Sequence, residues 1–297
     1  MEVFGSLLTA MVTPFTAAGE VNYQAAGELA EKLVAEGCDG LVICGTTGEA
    51  PTLKREERLK LLETVVERVG EEARIIAGTG SYNTSDSIEF SQEALMLDVD
   101  GLMTVVPYYN KPPQESLYQH FAAIAKACQA PIMLYNVPGR TSRNLEVDTA
   151  VRLAEIDNIV AIKEASGDLE QVTALAARCG EKLDIYSGDD SLTLPIMAVG
   201  GSGVVSVAGH LAAGKIRKML DEARNNNFAE AARLNQELFP LFKAMFVTTN
   251  PIPVKTALRL QGREVGGFRK PLTEMTAAEL KSFKATLKEL GFLKNQR

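Results

Sequence analysis

From Leu7 to Arg224 the chain repeats one pattern eight times: a short apolar run, a brief connection, then a segment with apolar residues at helical spacing. The runs lie at 7–15, 40–45, 74–79, 101–107, 131–137, 159–166, 183–187 and 203–207. Short and rich in aliphatic residues, they read as buried strands. Helical segments are expected at 22–36, 53–69, 84–97, 114–128, 146–155, from Asp168 onward, 191–198 and 210–224. Asn22, Thr52 and Asp168 are expected to cap three of them, and Gly37 and Gly70 to stop the first two.

Strands alternating with helices build a parallel sheet with helices outside it. Eight such units in roughly 200 to 250 residues match a closed (β/α)8 TIM barrel, an α/β fold. An open doubly wound sheet competes, but it ordinarily carries a glycine-rich dinucleotide turn after its first strand, and Thr13-Pro14-Phe15-Thr16 is not one. Past Asn225-Asn226-Asn227 the strands stop, and 228–246, 254–261 and 276–290 read as helices. The expected organisation is a barrel over 1–225 and a C-terminal helical appendage over 226–297. No low-complexity linker separates the two, so they are expected to pack together.

The active site of such a barrel lies at the C-terminal ends of its strands. One of those ends carries a lysine: Ile159-Val160-Ala161-Ile162-Lys163-Glu164-Ala165-Ser166. Alternation puts Ala161, Lys163 and Ala165 on one face, with small residues leaving room beside the amine. Burial lowers a lysine pKa, and a neutral amine can form a Schiff base with a carbonyl substrate. Pairing of Lys163 with a nearby acid is the competing reading. Tyr135 sits near the end of the preceding strand, close enough to meet Lys163 if both point inward and to relay protons. Arg140, in Pro138-Gly139-Arg140-Thr141, is placed to clamp a carboxylate, unless it is simply a solvated loop charge. Gly45-Thr46-Thr47-Gly48-Glu49 is either a plain strand-to-helix turn or a cradle for a small carboxylate. Tyr108-Tyr109 reads as site or interface, Gly188 as a point of close backbone access, and Asp189-Asp190 as helix-capping or solvated groups.

Composition removes other classes. A net charge of −7 disfavours nucleic acid and anionic membranes as partners. The four cysteines have no metal-type spacing, and His120 and His210 stand outside any ligand motif, so no metal site is expected. With no leader pattern at the start and no apolar run long enough to span a bilayer, a cytoplasmic protein is expected.

Three motifs, Gly45-Thr46-Thr47-Gly48-Glu49, Tyr135-Asn136-Val137-Pro138-Gly139-Arg140-Thr141 and Ile162-Lys163-Glu164-Ala165, resemble the signatures of the dihydrodipicolinate synthase family. That family belongs to the pyruvate-dependent class I aldolases, which include N-acetylneuraminate lyase. The resemblance runs from Thr13-Pro14-Phe15 to Asn250-Pro251-Ile252-Pro253-Val254-Lys255. It implies condensation of pyruvate with L-aspartate 4-semialdehyde to give 4-hydroxy-tetrahydrodipicolinate, in the diaminopimelate route to lysine. Lys163 would carry the pyruvate imine and Tyr135 would move protons. Thr46 would link Tyr135 to Tyr109, which reaches across a dimer interface. Thr47 would hold the pyruvate carboxylate, Arg140 would bind the semialdehyde, and Gly188 and Val205 would line the pocket. The resemblance also implies no metal, no organic cofactor, and a homotetramer built as a dimer of dimers. In lysine-sensitive relatives a histidine, an asparagine and a glutamate stand where this chain has Arg58, Tyr82 and Asp86, so inhibition by L-lysine is expected to be weak or absent. The competing functions are a Schiff-base aldolase acting on a sugar acid, such as N-acetylneuraminate or a 2-keto-3-deoxy acid, and a non-catalytic metabolite-binding barrel.

Overall fold

In the computed structural model, which describes residues 3–293, eight parallel strands close on themselves in sequence order. They are β1 Leu7–Ala10, β2 Gly40–Ile43, β3 Arg74–Gly78, β4 Gly101–Val105, β5 Ile132–Asn136, β6 Ile159–Glu164, β7 Asp184–Ser187 and β8 Gly203–Ser206. The ring is sealed where β8 pairs with β1, Val205 standing opposite Leu8. The expected TIM barrel is therefore the observed fold. The strands are shorter than the apolar runs because the last residues of most runs leave the ladder and bend into the loops that carry the site.

Helices α1 Tyr23–Ala35, α2 Arg55–Val69, α3 Thr84–Leu95, α4 Gln114–Ala127, a short α5 Pro138–Thr141, α6 Val147–Leu153, α7 Leu169–Cys179, α8 Thr193–Ala198 and α9 Gly209–Arg224 follow the strands. Asn22 and Asp168 cap as expected, their side chains accepting from the Ala25 and the Glu170 and Gln171 N–H groups. Thr52 does not. Its hydroxyl donates to the Glu49 carbonyl at 3.0 Å, and residues Ala50–Thr52 form a 3-10 turn. Helix α2 starts three residues later, where the Glu57 carboxylate accepts from the Lys54 N–H at 2.8 Å.

Two apolar layers result. Leu8, Val42, Ile76, Met103, Met133 and Tyr186 belong to the group that fills the barrel, and a larger cluster packs the strands against the helices. A strand buried on both faces must be apolar throughout, which is why the runs were continuous in sequence. The expected domain boundary falls in the turn between α9 and the next helix, α10 Phe228–Ala244; α11 Ile252–Leu260 and α12 Ala277–Glu289 complete the described chain. The C-terminal segment is keyed into the barrel. Lys255, wholly buried on α11, donates to Glu49 Oε1 at 2.8 Å, and the Arg269 N–H donates to Glu49 Oε2 at 3.1 Å.

Candidate active site

Lys163 projects from β6 into the barrel, in register with Tyr135 on β5 and Tyr186 on β7. It is only 5% exposed, and its Nζ stands 4.3 Å from the centroid of the Tyr135 ring. Burial pushes its pKa down to about 8; Asp190 opposes the shift and Arg140 adds to it. Among the described residues no carboxylate forms an ion pair with it. The adjacent acid, Glu164, points to the other face of the strand and accepts from Asn136, Gln171 and the Ser166 N–H. The amine therefore makes no ion pair with its sequence neighbour Glu164, and buried Asp190 is the acid whose field favours its proton. Gly188 gives it space: a Cβ there would stand 2.7 Å from Ala165 Cβ and 3.1 Å from Lys163 Cε.

Tyr135 is buried, which raises its phenol pKa; the positive Arg140 and the nearby Thr46 side chain work against that rise. Thr46 comes from the turn after β2 and lines the same cavity as Tyr135. Its neighbour Thr47 is buried and accepts from Asn250 Nδ2 at 2.9 Å. Arg140 sits on α5, exposed, with Nη2 donating to the Asn250 carbonyl at 3.5 Å. Thr46, Tyr135 and Arg140 share a cavity of about 270 Å³ at the C-terminal end of the barrel, which Arg58 and Tyr108 also line. Val205 faces the barrel interior from β8.

Tyr109, expected to come from a neighbouring subunit, lies outside this single-chain cluster. Tyr109 is 91% exposed at the tip of the loop after β4, in a left-handed backbone conformation with φ 68°. Within a single chain it does not reach Thr46. Tyr108 instead packs edge-on against Tyr82, with ring centroids 5.2 Å apart. Asp190 corrects an expectation. Asp189 does cap a turn, accepting from the Ser191 N–H, but Asp190 is buried rather than solvated. It accepts from the Ser206 hydroxyl and from the Val207 and Ala208 N–H groups, and burial raises its pKa. His210 is structural. His210 donates from Nδ1 to the Val207 carbonyl and accepts at Nε2 from the Val12 N–H, tying the ends of β8 and β1 together. Among the described residues no group of three His, Cys, Asp or Glu side chains is placed to hold a metal ion.

The family profile described as the dihydrodipicolinate synthetase family matches residues 3–290. The chain belongs to this family. It is 54% identical over 288 residues to a 4-hydroxy-tetrahydrodipicolinate synthase from Heliobacterium modesticaldum, covering 97% of this chain and 96% of the relative. It is 55% identical over 296 residues to the synthase of that name from Thermosynechococcus vestitus, covering 99% and 100%. Among solved structures, the lysine-bound enzyme from Cyanidioschyzon merolae superposes with a TM-score of 0.97 at 44% identity, covering 99% of this chain and 100% of that one. The enzyme from Aquifex aeolicus gives 0.96 at 42% identity, covering 98% and 100%.

Within this dihydrodipicolinate synthetase barrel, sequence reasoning missed the groups that stand behind the site. Asn250 touches both Thr47 and Arg140, yet in the sequence it marked only the far end of the resemblance. A polar side chain beside prolines in an otherwise apolar stretch was the available signal. Lys255, inside Ile-Pro-Val-Lys-Thr-Ala-Leu, carried a clearer one: a lone charge in an apolar helix needs a buried partner. Asn136 and Glu164, at the ends of β5 and β6, form a further polar network with Asn144 and Gln171. It joins β6 to the loop that follows Arg140, and nothing in sequence spacing marks it.

Proposed function

We propose that this barrel condenses pyruvate, held as an imine on Lys163, with L-aspartate 4-semialdehyde, giving 4-hydroxy-tetrahydrodipicolinate. The observation that carries the reading is the lysine itself: buried, without an ion-pair partner, lowered to about 8, and 4.3 Å from the Tyr135 ring. The free amine attacks the ketone of pyruvate and water leaves as the imine forms. Loss of a proton from the pyruvate methyl gives an enamine, whose carbon attacks the aldehyde and leaves a hydroxyl. The amino group of the second substrate then adds to the imine carbon and expels the lysine amine, closing the ring. Tyr135, which lines the cavity together with Thr46, carries protons between these steps. The protonated imine is the electron sink, so the chemistry requires neither metal nor organic cofactor.

Thr47 and the turn around it bind the pyruvate carboxylate, and Arg140 binds the carboxylate of the semialdehyde. Gly188 and Val205 shape the pocket beside the amine. Tyr109, exposed and strained on a single chain, serves the site of a neighbouring subunit in a homotetramer made of two dimers. No helix among the described residues is long and apolar enough to cross a membrane, and the buried free thiols Cys38, Cys44, Cys128 and Cys179 suit the reducing cytoplasm. Borohydride reduction with pyruvate, followed by peptide mapping, is expected to add a lactyl-type mass to Lys163. Turnover is expected with L-aspartate 4-semialdehyde and not with a sugar-derived aldehyde. An adduct on another lysine, or none, overturns the mechanism.

A further inference from the structure

We propose that Asn250 is a positioning residue that aims both carboxylate-binding groups, Thr47 and Arg140, at their substrates. The inference rests on the reading above and extends it to a residue outside the barrel strands. A threonine hydroxyl has one proton to give and two lone pairs to offer. Asn250 Nδ2 donates to Thr47 Oγ1 at 2.9 Å and occupies a lone pair, which leaves the single Thr47 proton free for a substrate carboxylate. The contact is the only side-chain hydrogen bond of Asn250: its Oδ1 is buried with no partner among the described residues. The amide is therefore held at the end that faces Thr47. The backbone carbonyl of the same residue accepts from Arg140 Nη2 at 3.5 Å and draws that guanidinium toward the same place.

The segment is anchored for this task. Four residues after Pro251, Lys255 pairs with Glu49, the last residue of the turn that bears Thr46 and Thr47. Two contacts, at Asn250 and Lys255, thus fix the segment against that turn from one side. Loss of the Asn250 amide frees the Thr47 hydroxyl to rotate without loosening the turn, because the Lys255 pair remains.

The test is steady-state kinetics of Asn250→Ala and Asn250→Asp together with borohydride trapping of the pyruvate imine. Trapping on Lys163 persists in both variants; its absence from the unaltered enzyme is the separate failure of the imine reading. With Asn250→Ala, KM for pyruvate is expected to rise about tenfold, while KM for the semialdehyde changes little because alanine keeps the backbone carbonyl that Arg140 meets, and kcat changes less than the pyruvate KM. Asn250→Asp, nearly isosteric, raises both further, because its carboxylate accepts the Thr47 proton and repels both substrates. In a Thr47→Val background, Asn250→Ala adds nothing to the pyruvate KM. Pyruvate KM values within twofold of the unaltered enzyme in both single variants overturn the proposal. So does a fall in kcat alone, which is what a merely structural asparagine produces.

Discussion

Replacing Lys163 by Met is expected to stabilise the protein, and the gain should disappear as the pH rises. In the fold the lysine pKa is about 8, against 10.5 for an unburied lysine. At pH 7 it is protonated in both states, and folding must bury most of that charge. From the two pKa values this costs ~3 kcal/mol at pH 7. Between 8 and 10.5 the unfolded chain binds more protons than the folded one, so stability rises with pH over that window. At pH 10 the folded lysine is neutral, and the remaining cost is ~1 kcal/mol. Methionine has a similar length and no charge, so it removes the cost at every pH. Thermal unfolding of both proteins at equal concentration, at pH 7 and pH 10, measures this as a melting-temperature gain of several degrees that shrinks at the higher pH. A Met variant that is no more stable at pH 7, or whose advantage does not diminish by pH 10, refutes the reasoning.

The rate of pyruvate imine formation is expected to rise with pH and reach half its maximum near 8; a midpoint near 10 in rapid-quench borohydride trapping contradicts the lowered amine pKa. Arg140→Ala should still form the imine but lose roughly 10- to 100-fold in kcat/KM for the semialdehyde, the worth of a charged hydrogen bond; unchanged kinetics refute its role. Mixed dimers of Tyr109→Phe and Tyr135→Phe subunits should regain activity by assembling some unaltered sites, and mixed dimers that stay inactive exclude a shared site. L-lysine should inhibit weakly. Arg58 keeps a cation in the cavity wall, its guanidinium 3.7 Å from the Phe90 ring centroid and donating to the Gly78 carbonyl, where it repels a cationic ligand. Arg58→His should strengthen inhibition, and tight inhibition of the unaltered enzyme below millimolar lysine contradicts the argument.

The barrel was legible because its determinants are local. Each strand is buried on both faces, which writes a continuous apolar run into the sequence, and Asn22 and Asp168 stand where a helix needs a cap. Lys163 was legible for the same reason: a charge inside such a run is conspicuous. Thr52 has the chemistry of a cap, but its hydroxyl is spent on Glu49, whose own side chain is committed to Lys255. Asp190 looked solvated because the donors that bury it come from the end of β8 and the start of α9, some 17 residues on. Asn250 meets Thr47 across a separation of 203 residues, and no periodicity reports a contact of that kind. What sequence hid are the long-range polar contacts that aim the visible side chains.

The pairing of Glu49 with Lys255 also sets an order of events during synthesis. Their separation of 206 residues takes a ribosome about 10 to 40 s to cover at usual elongation rates. All eight strands have been made before Lys255 exists. Through that interval the turn bearing Thr46 and Thr47 lacks the cation that pairs with its buried carboxylate. Competence to turn over substrate then arrives with the last quarter of the chain, after the scaffold that carries the lysine.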